Sequence, residues 1–368
     1  MHGKAIQIVS FDNPYPPNFG GVIDVFYKIK ALSQLGVKVY LHAYYDDRTD
    51  VSGLKPYCES ITFYKRNKSF IKFISILPYA VNTRLSKDLV FNLKKQNAPI
   101  LFETIKTTGI LKNNVFRNKV AVRCHNIEHN YSWGLGYSET NLIKKIAFFI
   151  EGLKFKRFEP ILEKADVLFS LSIDEFEYYS ANFKNESVFL PVFQGNTEVL
   201  GEDGFGKYAL YHGDLTTSDN VKSALFLINV FKELSHPLII ASSVSNKMLV
   251  KEVSNYKNIS FKLINAEHDL DSLIKKAHVN TLFSYQKSGT KLKVFNALYK
   301  GKHCIVNNKM IDEISVLRLC EVAESKAQYK DVVNKIFKTP YTKTENRISV
   351  LKNYNASIVV RELVSTLF

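Results

Sequence analysis

"AIQIVSFDNPYPPNFGGVIDVFYKIKALSQLGVKVYLHAY", residues 5–44, places a short apolar run, a proline-stiffened loop, a helical repeat and a second apolar run in sequence. Residues 5–10 are apolar enough to be buried on both faces. Residues 22–36 set Val, Ile, Phe and Leu at helical spacing and stop at Gly36, and residues 37–44 alternate as a strand. Strand, helix, strand in that order predicts a βαβ unit, which requires parallel strands because a crossover returns the chain to the same sheet end.

The alternation continues outward from this unit. Further strands are expected at 99–105, 119–125, 166–172 and 187–193, and "SIDE" (172–175) offers a capping box for the helix after the third of these. Residues 194–207, "QGNTEVLGEDGFGK", carry four glycines and no periodicity, and read as a linker. A second series follows, with strands at 208–213, 237–243, 259–264, 279–285 and 303–308. Helices are expected near 219–234, over 268–277 and within 290–300. The reading is α/β, with a first domain over 1–193, a linker over 194–207 and a second domain over 208–344.

Composition agrees with two globular domains. At 368 residues the chain exceeds the roughly 250–300 residues at which single cores stop growing. Hydrophobic residues make up 46% and aromatics 13%, which excludes the polar, aromatic-poor class of disordered chains. Four scattered cysteines, with no C-x-x-C pair, suit a reducing, cytoplasmic setting. No apolar stretch approaches the roughly 18 residues of a membrane span. The net charge of +15 favours phosphate-bearing ligands, anionic lipid or nucleic acid, but no nucleic-acid-binding motif is present and no such partner is expected. Basic residues interleave with Phe, Ile and Leu over 63–87 and 142–159, a texture that suits peripheral contact with an anionic membrane and equally suits amphipathic helices with solvated faces.

In open parallel sheets, ligands bind beyond the carboxyl ends of the strands, so residues just after strands are the candidates. Gly20 and Gly21 open the first helix, where backbone N–H groups can approach a phosphate closely. Glu103 ends the 99–105 run, and His125, Glu128 and His129 follow the next strand. The last three spell H-x-x-E-H, but a strand precedes them and no further ligand is evident, so no metal is expected. "QKSGTKLK" then starts a helix with Lys287, Ser288, Gly289, Thr290, Lys291 and Lys293 around an anion-attracting end, which a diphosphate would fit.

Together, the Gly-Gly loop, "LFETI", "VRCHNIEHNYS", "YHGDLTTSDN" and "SGTKLKVFNALYKGK" resemble, in that order and over essentially the whole chain, the family-4-like GT-B glycosyltransferases of bacterial surface polysaccharide synthesis. The resemblance implies two Rossmann-like domains facing a cleft, with an N-terminal acceptor domain, a C-terminal nucleotide-sugar domain, and residues 345–368 crossing back to the first. It also implies a metal-independent transfer, with retention, from a UDP- or GDP-sugar to a glycan or lipid-linked glycan hydroxyl, with no cofactor. By the same resemblance, His125 contacts the transferred sugar with Glu103 beside it, and Glu128 and His129 lie toward the acceptor. Gly20, Gly21, Gly213, Asp214, Lys287, Ser288, Gly289, Thr290 and Lys291 lie toward the donor, with Asn296 at its ribose. Four positions depart from the pattern. Ser288 and Asn296 stand where the family usually has glutamates, and Asp214, with Asp219 after it, where it has an arginine and a lysine. These departures keep open a noncatalytic GT-B relative acting as a binding subunit.

Overall fold

The structure is a computed structural model and describes residues 3–265, 267–287 and 291–368. The chain divides into two compact units. Unit 1 contains residues up to Trp133, Ile146–Gly195 and Tyr354–Phe368, and unit 2 contains Gly134–Lys145 and Asn196–Asn353.

Unit 1 is built on seven parallel strands: β1 (Ala5–Ser10), β2 (Lys38–Tyr45), β3 (Ser60–Lys65), β4 (Ile100–Glu103), β5 (Val120–Cys124), β6 (Val167–Ser170) and β7 (Glu186–Phe189). Their order is β3-β2-β1-β4-β5-β6-β7, so the direction of winding reverses between β1 and β4. Both faces are buried, as an all-parallel sheet requires. Ile6 and Ile8 of β1 enter one core with Val25, Ile29 and Leu32 of α1 (Gly20–Gln34), while Val9 enters the other with Phe102 and Val122. The second face is covered by later elements, among them α4 (Leu142–Phe158), which supplies Phe155 and Phe158, whereas α2 (Ile71–Ile74) buries no side chain and α3 (Glu128–Ser138) contributes none to this core. β4 is shorter than the alternation suggests. Thr104 takes φ = 65° and its side chain accepts from Lys106 N, turning the chain into a 3-10 helix over Ile105–Lys112.

Unit 2 carries six parallel strands: β8 (Ala209–His212), β9 (Leu238–Ser242), β10 (Ile259–Leu263), β11 (Val279–Thr281), β12 (His303–Val306) and β13 (Glu321–Val322). Their order is β10-β9-β8-β11-β12-β13, with its reversal between β8 and β11. The helices that matter for the site are α5 (Ser218–Phe231), α6 (Glu267–Lys276), α7 (Leu292–Lys300) and α8 (Glu345–Lys352).

The units depart from the sequence boundaries in three places. Residues 134–145 belong to unit 2, where Gly134 packs on Gln286 and Glu139 accepts from Ser218 Oγ at 3.2 Å. Residues 196–207 are not a free linker. Leu200 N donates to Tyr299 O, Gly204 bridges to Tyr341, and Gly206 N donates to His278 Nδ1 at 3.0 Å. A Cβ on Gly206 would sit 2.4 Å from His278 N, so that glycine permits close packing. Finally, residues 345–368 form two helices in different units. α8 stays in unit 2 because the buried Arg347 donates to Leu298 O, Lys302 O and Gly301 O at 2.7, 2.7 and 2.9 Å, placing its charge on the negative end of α7. The final helix, α9 (Ala356–Leu367), belongs to unit 1, where Val360, Leu363 and Val364 join the core that α1 also lines.

Arg347→Met would leave those carbonyls buried without a donor. We expect unit 2 to lose about 2–4 kcal/mol, read as an earlier calorimetric transition, with no change for Arg361→Ala on the exposed face of α9.

Candidate functional site

The reversal in unit 1 gathers five charged or titratable side chains. Asp24 and Lys28 lie one turn apart on the buried face of α1, Glu103 ends β4, Arg123 is on β5 and His125 follows it. Parallel register places Glu103 opposite Arg123. Lys28 Nζ bonds both carboxylates, at 2.8 Å to Asp24 Oδ2 and 2.6 Å to Glu103 Oε1. Arg123 Nη2 lies 3.0 Å from Asp24 Oδ1 and donates to Pro191 O at 2.9 Å, and Phe193 N donates to Asp24 Oδ1 at 2.8 Å. His125 Nε2 is 2.9 Å from Glu103 Oε2.

Burial alone would raise the pKa of Asp24, but Arg123, Lys28 and His125 reverse that and hold it well below the usual carboxylate range. Glu103 is likewise raised by burial but lowered overall, through Lys28 and the bond from His125. An ionised Glu103 only accepts, so His125 carries its proton on Nε2. Its Nδ1 has no hydrogen-bond partner among the described residues. Asp24, Glu103 and His125 also form a donor set suited to a metal ion, their ligand atoms lying within 4.8 Å of one another. The Lys28 ammonium already bonds both carboxylates, and an entering cation would have to displace it.

Phe11 links this cluster to the Gly-Gly start of α1. Its ring meets His125 edge-on at 5.7 Å, and a Cβ on Gly21 would fall 2.7 Å from its Cζ, so a larger residue there would push the ring aside. Phe19 at the N-cap supplies no side-chain cap, and no acid sits in the first turn beginning at Gly20.

Glu128 and His129 lie elsewhere in unit 1. Glu128 is buried and ion-paired with Lys106 at 2.9 Å. His129 is buried 3.3 Å from Glu159 and packs edge-on against Trp133. Among the described residues neither shares an ion pair with the Glu103–His125 cluster. Asp24, Lys28 and Arg123 escaped the sequence reading. Their signal was three charges inside apolar segments, "VIDVFYKIKAL" and "VAVRC", which burial obliges to pair.

In unit 2 the reversal brings together the starts of α5 and α7. Asp219, in the first turn of α5, accepts from Ser284 Oγ at 3.0 Å and Tyr285 N at 3.1 Å, tying that helix to the segment after β11. Lys293, in the first turn of α7, donates to Asn220 Oδ1 at 3.2 Å and lies over the Tyr211 ring. Burial pulls its pKa down to about 8, with Asp219 opposing and Lys291 adding to the shift. His212, ending β8, is pushed down to about 3 by burial, Lys293 and Lys300, and its Nε2 has no partner among the described residues.

The sequence-selected residues of this unit divide. Asp214, after Gly213, is exposed and shapes the entry to α5, its Oδ1 accepting from Thr216 N at 2.9 Å and its carbonyl from Asn220 Nδ2 at 2.8 Å. Asn296 Oδ1 accepts from Asn196 Nδ2 at 3.0 Å. Lys291 is the N-cap of α7 and Lys287 is exposed. Ser288, Gly289 and Thr290 lie outside the described residues. A D-L-D triplet at 269–271, which sequence reading passed over, lies on α6 with Asp271 paired to Lys300 at 2.6 Å.

No family model matches the chain. A protein of Klebsiella pneumoniae described as an uncharacterized 44.6 kDa protein in the cps region is 28% identical over 269 residues, covering 69% of this chain and 65% of that protein, under two thirds of its length. Two solved structures match along nearly the whole chain. Sucrose-phosphate synthase from Thermosynechococcus elongatus gives a TM-score of 0.66 at 14% identity, covering 99% of this chain and 95% of its own. The α,α-trehalose-phosphate synthase (UDP-forming) from Burkholderia vietnamiensis gives 0.64 at 10% identity, covering 99% of each. The likeness shows the fold, which is GT-B.

The cluster in unit 1 sets a pH test. Asp24 and Glu103 have folded pKa values below their unfolded ones, so their contribution is present above about pH 4 and lost as pH falls below it. Lys28→Met leaves two facing carboxylates, costing about 3–5 kcal/mol at neutral pH. Because one of them then protonates readily, the gap between variant and wild-type melting temperatures should narrow from pH 7 to about pH 5. A gap that widens on acidification would show that Lys28 does not neutralise the pair.

Proposed function

We propose that this chain, which has the GT-B fold, is a glycosyltransferase that moves a sugar from a UDP- or GDP-sugar to a hydroxyl of a saccharide or lipid-linked acceptor, in cytoplasmic steps of bacterial cell-surface glycan synthesis. The observation that carries this is a whole-chain GT-B likeness in a protein whose two sheets each gather polar side chains at the strand ends flanking the reversal. The names of these two solved structures, synthases of phosphorylated disaccharides and one UDP-forming, support the reaction class. The cps region in the relative's description supports the glycan setting.

In this reading an acceptor hydroxyl attacks the anomeric carbon as its bond to the diphosphate oxygen breaks. The hydroxyl proton passes to that departing oxygen, with retention. Negative charge growing on the diphosphate is met by the N-terminus of α7 and by Lys291 and Lys293, with no bound metal required. Asn296 holds a ribose hydroxyl as a neutral partner. His125, oriented by Glu103 through Nε2, faces a hydroxyl of the transferred sugar with Nδ1. A second reading, a noncatalytic binding subunit, draws on Asp214, Asp219 and Asn296, where a charged clamp would need Arg, Lys and Glu.

A thermal-shift screen with UDP, GDP, CMP and ADP tests donor binding, and nucleotide release from a sugar nucleotide separates enzyme from binding subunit. Binding without turnover would favour the second reading. His125→Ala should fold and lower transfer by about ten- to a thousandfold. Lys293 keeps its charge below about pH 8, so nucleoside diphosphate affinity should weaken as pH rises through 8, and this slope should flatten in Lys293→Met. A slope unchanged in that variant would remove Lys293 from the phosphate site.

A further inference from the structure

Unit 1 exposes an apolar surface that its cores do not use. Around α2, Phe70, Ile71, Ile74 and Ile76 are 77, 78, 75 and 72% exposed. On α4, Ile146, Ile150 and Leu153 are also exposed, at spacings of four and three residues. That spacing draws a stripe about 60° wide along the helix, with the buried Gly152, Phe155 and Phe158 on the other side. Two bonds tie these elements together. Lys154 Nζ donates to Phe73 O at 2.7 Å, and Tyr79 N donates to Glu151 Oε2 at 2.7 Å.

A surface of this kind in a folded chain needs an occupant, and the charge around it selects one. Residues 63–87 hold six basic residues and no acidic one; Lys65, Arg66, Lys68, Lys72 and Lys87 are at least partly exposed, and only Arg84 is buried. Asp46 takes up part of that charge, pairing with Arg66 and Lys68. On α4 the exposed Arg157 continues the stripe one turn beyond Leu153. A second copy of the chain would bring these cations against their equals, whereas an anionic surface complements them.

We propose that this face docks on an anionic lipid bilayer, the isoleucines, Leu153 and Phe70 entering the headgroup boundary and the basic residues meeting lipid phosphates. In the transferase reading this would bring the chain to a lipid-linked acceptor, but the docking itself does not depend on that activity.

The experiment is co-sedimentation of the full chain, without nucleotide, with vesicles of phosphatidylcholine alone or containing about 30% phosphatidylglycerol, at roughly 50 and 500 mM salt. Binding should require the anionic lipid and weaken with salt. The quadruple variant Ile71→Ser, Ile74→Ser, Ile150→Ser and Leu153→Ser should bind about tenfold or more weakly while keeping the wild-type melting temperature. Equal binding to both vesicle types, or full binding by the folded variant, overturns the proposal. So does absence of vesicle binding, with or without self-association of the wild type that the variant abolishes; with it, the face would be a contact between copies. Because lipid is absent from the thermal-shift screen and nucleotide from this one, failure of either reading is seen separately.

Discussion

The ammonium of Lys28, bonded to both Asp24 and Glu103, is the constraint on which unit 1 is arranged. Two carboxylates this close and this buried would each be driven to protonate. With Lys28 and Arg123 among them, two negative charges meet two positive ones, and His125 adds a bond to Glu103. The bonds reach α1, β4, β5 and the segment after β7, where Leu190 and Pro191 accept from Arg123 and Phe193 N donates to Asp24. Displacing any one of these elements would leave a charge unpaired inside the core. Such a network contributes less to net stability than its short distances suggest, because desolvation offsets the attraction. What it enforces is position, holding α1 against the β1–β4 reversal with the Gly-Gly turn and His125 on either side of Phe11.

Much of this fold could be read from local pattern. The βαβ start, the succession of strands in each series except β3 and β13, and the placement of His125 after β5 follow from periodicity and from the rule that parallel strands need crossovers. What could not be read depended on partners distant in sequence. Residues 196–207 look like a linker because glycine is usually flexible, yet Gly206 is required by its approach to His278. The change of unit between α8 and α9 turns on Arg347, whose partners at 297–302 no window around 347 contains.

The site was legible to a similar depth. Glu103 and His125 were selected because they stand at the ends of neighbouring strands, and the structure joins them directly. Glu128 and His129 satisfied the same positional rule, but helix α3 carries them into contacts with Lys106, Glu159 and Trp133. Position after a strand therefore selects candidates, and only side-chain direction separates those that face the reversal from those that pack.

The two reversals differ in how their charge is resolved. In unit 1 the acids and bases of the network answer one another internally. In unit 2 the compensation is incomplete. Lys293 is desolvated enough to fall to about 8, His212 is kept neutral with an unpartnered Nε2, and Asp219 is already engaged by Ser284 and Tyr285 N. On the proposed reading, a desolvated ammonium at a helix start, beside a histidine that cannot take a proton, is where a bound anion would offset the lysine's lost solvation. The same argument explains why neutral Asn296 is compatible with anion binding. With an acid at 219, a second one at 296 would add to the negative charge near the α7 start, whereas an amide bonded to Asn196 leaves the local balance unchanged.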